Sequence, residues 1–173
     1  MTNRQQAIEA FVANGYEEIC TDSGTGSSIL VNAKQQRVAK INQDAAYAKF
    51  ADFCLGNPEL AVPKIYSHEY PLGPFLPSSN DPYSVAVMEL LTPLTEYEGA
   101  ELIQWVHSVF EILKLDKSMS EYPSDAFNLT HTLQMLVDAA RRVEVNLDVL
   151  KSTNYLKRVS GGSACIVFSD PFN

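Results

Sequence analysis

The run Cys165-Ile166-Val167-Phe168-Ser169-Asp170 sets a carboxylate at the end of a short apolar strand, and Asn154 lies sixteen residues before it. A strand of that kind either aims its Asp into a site or ends in a turn that Ser169 or Asp170 caps. A second group lies near the other end. Gly24, Thr25, Gly26, Ser27 and Ser28 form a small, polar stretch between two strand-like runs, and Lys40 ends the apolar run that follows. A Gly/Ser turn lets backbone N–H groups approach phosphates with no Cβ in the way. A Lys one strand later can reach the same phosphates as a point charge. The stretch also reads as an ordinary hairpin turn. It is not a Walker A loop, because no Gly-Lys-Ser/Thr follows, and it is not a dinucleotide fingerprint, because the next element is a strand. Lys40 is costly at the end of an apolar strand unless its charge has a partner.

The elements that must position these residues follow from periodicity. Residues 3–14 carry apolar positions at helical spacing and stop at Asn14-Gly15. Residues 16–41 read as three strands separated by a Gly/Ser turn and a polar turn, and 43–58 as a helix stopped by Gly-Asn-Pro. Two strands, 62–70 and 83–91, flank a Pro/Ser loop. The character then changes to two helices, 95–115 and 125–145, before two short strands around Gly161-Gly162. Strands followed by helices predict an α+β fold in two lobes, 1–92 and 93–173, joined near Leu91 to Glu96.

Composition narrows the classes. The chain has 173 residues, enough for one domain, and 46% of them are hydrophobic, enough to bury a core. The net charge is −8 with no Lys/Arg block, which argues against binding nucleic acid through phosphates. Cys20, Cys54 and Cys165 are odd in number and widely spaced, so neither a disulfide framework nor a zinc site is expected, and a reducing cytoplasm is the expected compartment. No signal peptide and no membrane span is expected. His68, His107 and His131 are scattered and make no metal set. Trp105 and Phe110 fit a packed helix stripe.

The order Gly-turn, strand, Val-Ala-Lys, helix, two strands, Met88-Glu89-Leu90-Leu91 resembles the N-lobe of a protein kinase, an antiparallel sheet plus one helix. The tail, with Asp148, then Asn154, then Asp170-Pro171, is similar to the small early Ser/Thr kinases of short-tailed phages. In these, as in aminoglycoside phosphotransferases, the metal-binding Asp is often followed by Pro. Minimal kinases used as bacterial effectors are a related comparison. The resemblance covers residues 20–173 and implies a kinase-like fold with a truncated helical C-lobe. It implies ATP held by Gly24–Ser28 and Lys40, with adenine on the backbone of Met88, Glu89 and Leu91. It further implies Mg2+ held by Asn154 and Asp170, oxygen ligands that suit a hard cation. Asp148 would orient the acceptor hydroxyl, and Lys151 would either touch the γ-phosphate or be a solvated charge. The implied partner is a host protein substrate in the host cytoplasm, with neither nucleic acid nor membrane.

The chain departs from the family pattern at several positions. Ile29 stands at the third glycine. Asn146-Leu147 precede Asp148, and counting back from Asn154 puts the usual catalytic position on Val149. The helix after Lys40 has no Glu; Asp44 and Asp52 are its available carboxylates. No activation segment follows Asp170, so substrate recognition falls to other surface, with the loop 71–82 or the connection 116–127 as the expected sites. These departures keep open a pseudokinase that binds and inhibits a host protein without chemistry. A small-molecule phosphotransferase is a third reading, which lacks the C-terminal helices that build an acceptor pocket in that class.

Overall fold

The computed structural model describes residues 3–22, 27–72, 82–114 and 123–173. The fold is α+β, and the chain divides into two compact units: 1–56 with 64–90, and 57–63 with 91–173.

The first unit opens with α1 (Asn3–Ala13). Gly15, at φ +82, accepts the left-handed conformation that ends a helix, and Tyr16 N–H closes the turn onto Phe11 C=O at 3.1 Å. Strands β1 (Glu17–Asp22), β2 (Ser27–Asn32), β3 (Arg37–Asn42), β4 (Ile65–Glu69) and β5 (Ser84–Glu89) form one antiparallel sheet in the order β1-β2-β3-β5-β4. Helix α2 (Ala45–Gly56) lies in the sequence between β3 and β4.

Register assigns the two faces. Ser28 pairs with Ile41, Leu30 with Ala39, and Ile41 with Val85. Directly paired residues share a face, so Leu30, Ala39, Ile41 and Val85 lie together. They form one buried cluster with Ile8 and Tyr16. The two-residue period then sends Val38, Lys40, Ala86 and Met88 to the other face. His68 pairs with Ala86 and belongs to that second face as well.

The second unit contains β6 (Thr92–Pro93), α3 (Glu96–Lys114), α4 (Thr130–Val143), a 3-10 turn (Ser152–Asn154), β7 (Tyr155–Ser160) and β8 (Ser163–Phe168). The three strands form a sheet in the order β6-β7-β8. Gly161 (φ +58) and Gly162 (φ +84) supply the two positive φ values that a tight β7–β8 hairpin turn requires. Helix α3 buries Leu102, Trp105, Val106, Val109 and Leu113, and α4 buries Leu133, Leu136, Val137 and Ala140. Both stripes follow the helical period.

Residues 57–63 belong to this unit through backbone bonds. Ala61 N–H donates to Thr132 Oγ1 at 3.0 Å, Phe168 N–H donates to Ala61 C=O at 2.9 Å, and Arg158 donates to Val62 C=O at 2.8 Å.

Helix α4 starts five residues later than the expected 125. Both carboxylate oxygens of Asp125 accept N–H groups, from Leu129 at 2.9 Å and Thr130 at 3.0 Å, and Asn128 turns left-handed at φ +57. The polar start of this segment is therefore a turn whose Asp125 serves the N–H groups at the start of α4, rather than a first helical turn. Burial pushes the Asp125 carboxyl up, but the N–H donors outweigh it and hold the group below its ordinary 3.8.

Helix α3 begins with a reciprocal cap. Glu98 N–H donates to Thr95 Oγ1 at 3.3 Å, and Glu98 Oε2 accepts the Thr95 N–H at 2.8 Å. Lys157, on β7, donates to both Glu98 oxygens at 2.9 and 2.8 Å. The Lys157 ammonium, followed by the Thr95 N–H and hydroxyl, lowers the Glu98 carboxyl from 4.5 to about 2. A carboxylate depressed on folding adds stability that is present above its unfolded pKa and lost as pH falls through the folded one. The stability of this unit should therefore fall between about pH 4.5 and 2, and Glu98→Gln should flatten that slope. Urea melts at pH 5 and pH 3 check this. Equal slopes in the two proteins would refute it.

Candidate functional site

In the second unit, the backbone stitches together the three sequence-selected tail residues. Asp148 N–H donates to Pro171 C=O at 2.8 Å, and Asn146 and Asn173 exchange bonds at 2.8 and 2.9 Å. Leu147 and Phe172 form a β-bridge between these segments. Asn154 N–H donates to Lys151 C=O at 3.0 Å, closing the 3-10 turn, and Ser169 N–H donates to Asn154 C=O at 2.8 Å. The Asn154 side chain is buried, and its Nδ2 donates to the Asp148 carbonyl at 2.6 Å. Asp148, Asn154 and Asp170 thus sit on three mutually bonded segments.

A packed aromatic pair supports these segments from behind. Tyr155 and Phe168 are fully buried with ring centroids 4.9 Å apart, and the Tyr155 hydroxyl donates to Val149 C=O at 2.6 Å. Burial, and then the charge of Asp148, pushes the Tyr155 phenol far above its ordinary value. The hydroxyl therefore stays protonated and remains a donor. Val149 is fully buried. The position reached by counting back from Asn154 is thus a core residue, and Asp148 is the half-buried acid beside it. Lys151 is exposed.

Asn154 and Asp170 carry oxygen donors of the kind a magnesium ion takes. The Asn154 amide gives its N–H to a backbone carbonyl, which leaves Oδ1 as its acceptor end, and Asp170 has a carboxylate whose Oδ1 is buried. Among the described residues no three His, Cys, Asp or Glu side chains cluster as a self-sufficient metal cage. Magnesium needs no such cage, because it commonly takes one or two protein ligands plus water and phosphates.

In the first unit, Lys40 projects from β3 and its Nζ lies 3.6 Å from the centroid of the Tyr47 ring. Tyr47 is 1% exposed, and its hydroxyl reaches the Met88 sulfur at 3.8 Å. The two carboxylates near Lys40 in sequence serve other groups. Asp44 Oδ1 accepts the N–H groups of Ala46 at 2.8 Å and Tyr47 at 3.2 Å, as the N-cap of α2. Asp52 Oδ1 lies 2.7 Å from Nδ1 of His68, whose side chain is 2% exposed against 68% for Asp52.

Gly24, Thr25 and Gly26 lie outside the described residues. Ser27 begins β2 and is half-buried. The Ser28 hydroxyl is fully buried and accepts a bond from Arg4 at 2.6 Å, so only its backbone can serve a phosphate. Met88 is buried on the Lys40 face. Glu89 Oε1 accepts Lys64 N–H at 2.8 Å, and the Glu89 N–H is taken by Lys64 C=O at 3.0 Å. Leu91 is buried in the second unit.

Sequence reasoning missed Tyr47, Asp52 with His68, and Lys157 with Glu98. Only the Thr-x-x-Glu spacing at Thr95 gave a readable signal of any of them. Of the expected docking surfaces, residues 73–81 and 116–122 lie outside the described residues. No described helix is long and apolar enough to cross a membrane. No protein-family model matches the chain, and no curated protein matches it.

Proposed function

We propose that this chain is a small ATP- and Mg2+-dependent protein Ser/Thr kinase acting on host proteins. The observation that carries the reading is the Asn154 amide bound to the Asp148 carbonyl while the segment after Asp170 pairs with the Asp148 backbone. An acid, a neutral oxygen ligand and a carboxylate are thereby held on a rigid frame, which phosphoryl transfer requires because it depends on positioning and charge neutralisation. The five-strand order, with Lys40 on the second of the two sheet faces, supports the same reading.

Each residue then has a role. Asn154 and Asp170 hold the magnesium, which when bound neutralises charge on the β- and γ-phosphates. Asp148 accepts and orients the proton of the attacking Ser/Thr hydroxyl. In the first unit Lys40 takes phosphate oxygens, as do the backbone groups around Ser27 and Ser28. In the kinase reading the backbone of Met88 and Glu89, also in the first unit, receives adenine. Lys151, exposed beside the 3-10 turn, is available to the γ-phosphate.

The alternative is a kinase-shaped binding module with no chemistry. The helix after Lys40 favours this alternative, since it carries no Glu and its carboxylates Asp44 and Asp52 serve backbone N–H groups and His68. Incubation with γ-labelled ATP and magnesium in bacterial lysate separates the two readings. Labelled protein bands that require the added chain are expected. Absence of any such band, with nucleotide binding intact, would move the assignment to the binding module.

A further inference from the structure

We infer that Arg4 is a positioning residue, which reaches from α1 to Ser28 and holds the start of β2 in place for nucleotide phosphates. The role at phosphates rests on the kinase reading of β2 and Lys40. Arg4 Nη2 donates to Ser28 Oγ at 2.6 Å across 24 residues of sequence. Ser28 is fully buried, and so is the Nε of Arg4. A short bond from a guanidinium to a hydroxyl is charge-assisted and of the stronger kind, and burial shelters this one from water. The helix that carries Arg4 is itself anchored. Ile8, one turn further on, is buried with Leu30, Ala39 and Ile41, and Phe11 packs against the same cluster.

Register shows how this grip acts. Ser28 pairs with Ile41, while Ile29 pairs with Lys40. Consecutive residues alternate between faces, so the Ser28 hydroxyl lies on the face that α1 covers and Lys40 on the other. Arg4 therefore acts on phosphates only through the backbone of Ser28 and Ile29, which runs beside Lys40. Backbone N–H groups bind an anion well when they are held in place beforehand, because ordering left to the moment of binding weakens it. The stretch Gly24 to Ser28 carries only small side chains, which offer little to pack. The bond from Arg4 gives its last residue a fixed point.

Two measurements on the full chain test this. Amide hydrogen exchange, followed residue by residue by NMR, should speed up about tenfold at Ser28 and Ile29 in Arg4→Ala, with much smaller changes at the paired positions of β3. Ser28→Ala removes the acceptor instead of the donor and should do the same, which keeps the test open where Arg4→Ala does not fold. The double variant should be no worse than the poorer single one, because both remove one bond. In parallel, Mg-ATP titration should give about tenfold weaker affinity for either variant, with phosphate transfer at saturating ATP close to wild type. Arg4→Lys, which keeps a cationic donor, should recover part of the affinity. Unchanged exchange at Ser28 and Ile29, or acceleration spread evenly over β2 and β3, overturns the inference, since the second pattern is plain loss of stability. Local loosening with wild-type Mg-ATP affinity overturns it too. If the local loosening appears but the wild type binds no nucleotide, the kinase reading fails and the brace on β2 stands.

Discussion

Asp170→Asn should lower phosphate transfer by on the order of 10^3-fold while leaving the melting temperature almost unchanged. The substitution keeps the shape of a side chain whose Oδ1 is buried, while it removes the charge and turns one acceptor oxygen into an amide donor. A metal ligand supplies several kcal/mol of charge stabilisation during transfer, and about 4 kcal/mol corresponds to roughly 10^3 in rate. Asn154→Ala makes an instructive contrast. It removes a candidate metal ligand and also the 2.6 Å donor to the Asp148 carbonyl. Leaving a half-buried carbonyl unsatisfied costs about 1–3 kcal/mol, so this variant should lose both transfer and stability. Initial rates at saturating ATP, paired with thermal melts, distinguish the two patterns. Transfer by Asp170→Asn at the wild-type rate would remove Asp170 from the metal site and the kinase assignment with it.

Phe168→Ala should destabilise the second unit by about 3–5 kcal/mol, the usual cost of truncating a buried aromatic. Phe168 is fully buried, stacks against Tyr155, and donates its N–H to Ala61 in the segment 57–63. The cavity would open at the last residue of β8, two positions before Asp170. At this chain length the loss corresponds to about 6–20 °C in the melting transition. Differential scanning calorimetry checks the size, and a shift below about 3 °C would mean that the surrounding core collapses to fill the space. Phe168→Leu, which refills most of the volume, should recover more than half of the loss.

The contrast between these sites and the rest of the molecule shows which features sequence can reveal. Strand β2 alternates by twos and α3 by threes and fours, and both elements lie where periodicity puts them. The α+β class followed from the same patterns. The start of α4 was not legible, because a carboxylate that caps a helix and one that opens its first turn look alike until the N–H groups they accept are known. The two-residue strand β6 is too short to carry any period. Asp148 was ambiguous by counting, and only the burial of Val149 separates the neighbours. Tyr47 left no sequence signal at all. Its contact with Lys40 spans seven residues and two elements, and an apolar-looking helix position gives no hint that a cation sits on its face. In sequence the segment 57–63 divides between a helix stop at 57–58 and a strand from 62, because its bonds run to Thr132, Arg158 and Phe168, far along the chain.

The strand order carries a consequence for synthesis. Strand β5 lies between β3 and β4 in the sheet, yet it leaves the ribosome last of the three. When β4 emerges, the sheet edge it would join does not exist, because β5, its hydrogen-bonded neighbour among the described strands, has not been made. At ordinary translation speeds, the interval between the end of β4 and the end of β5 lasts about one to four seconds. Through that interval β3 presents an open edge, the kind of surface that recruits stray strands. Before β5 is made the nascent first unit can pair three strands, β1 to β3, and the sheet is completed only when Ser84–Glu89 takes its place between β3 and β4.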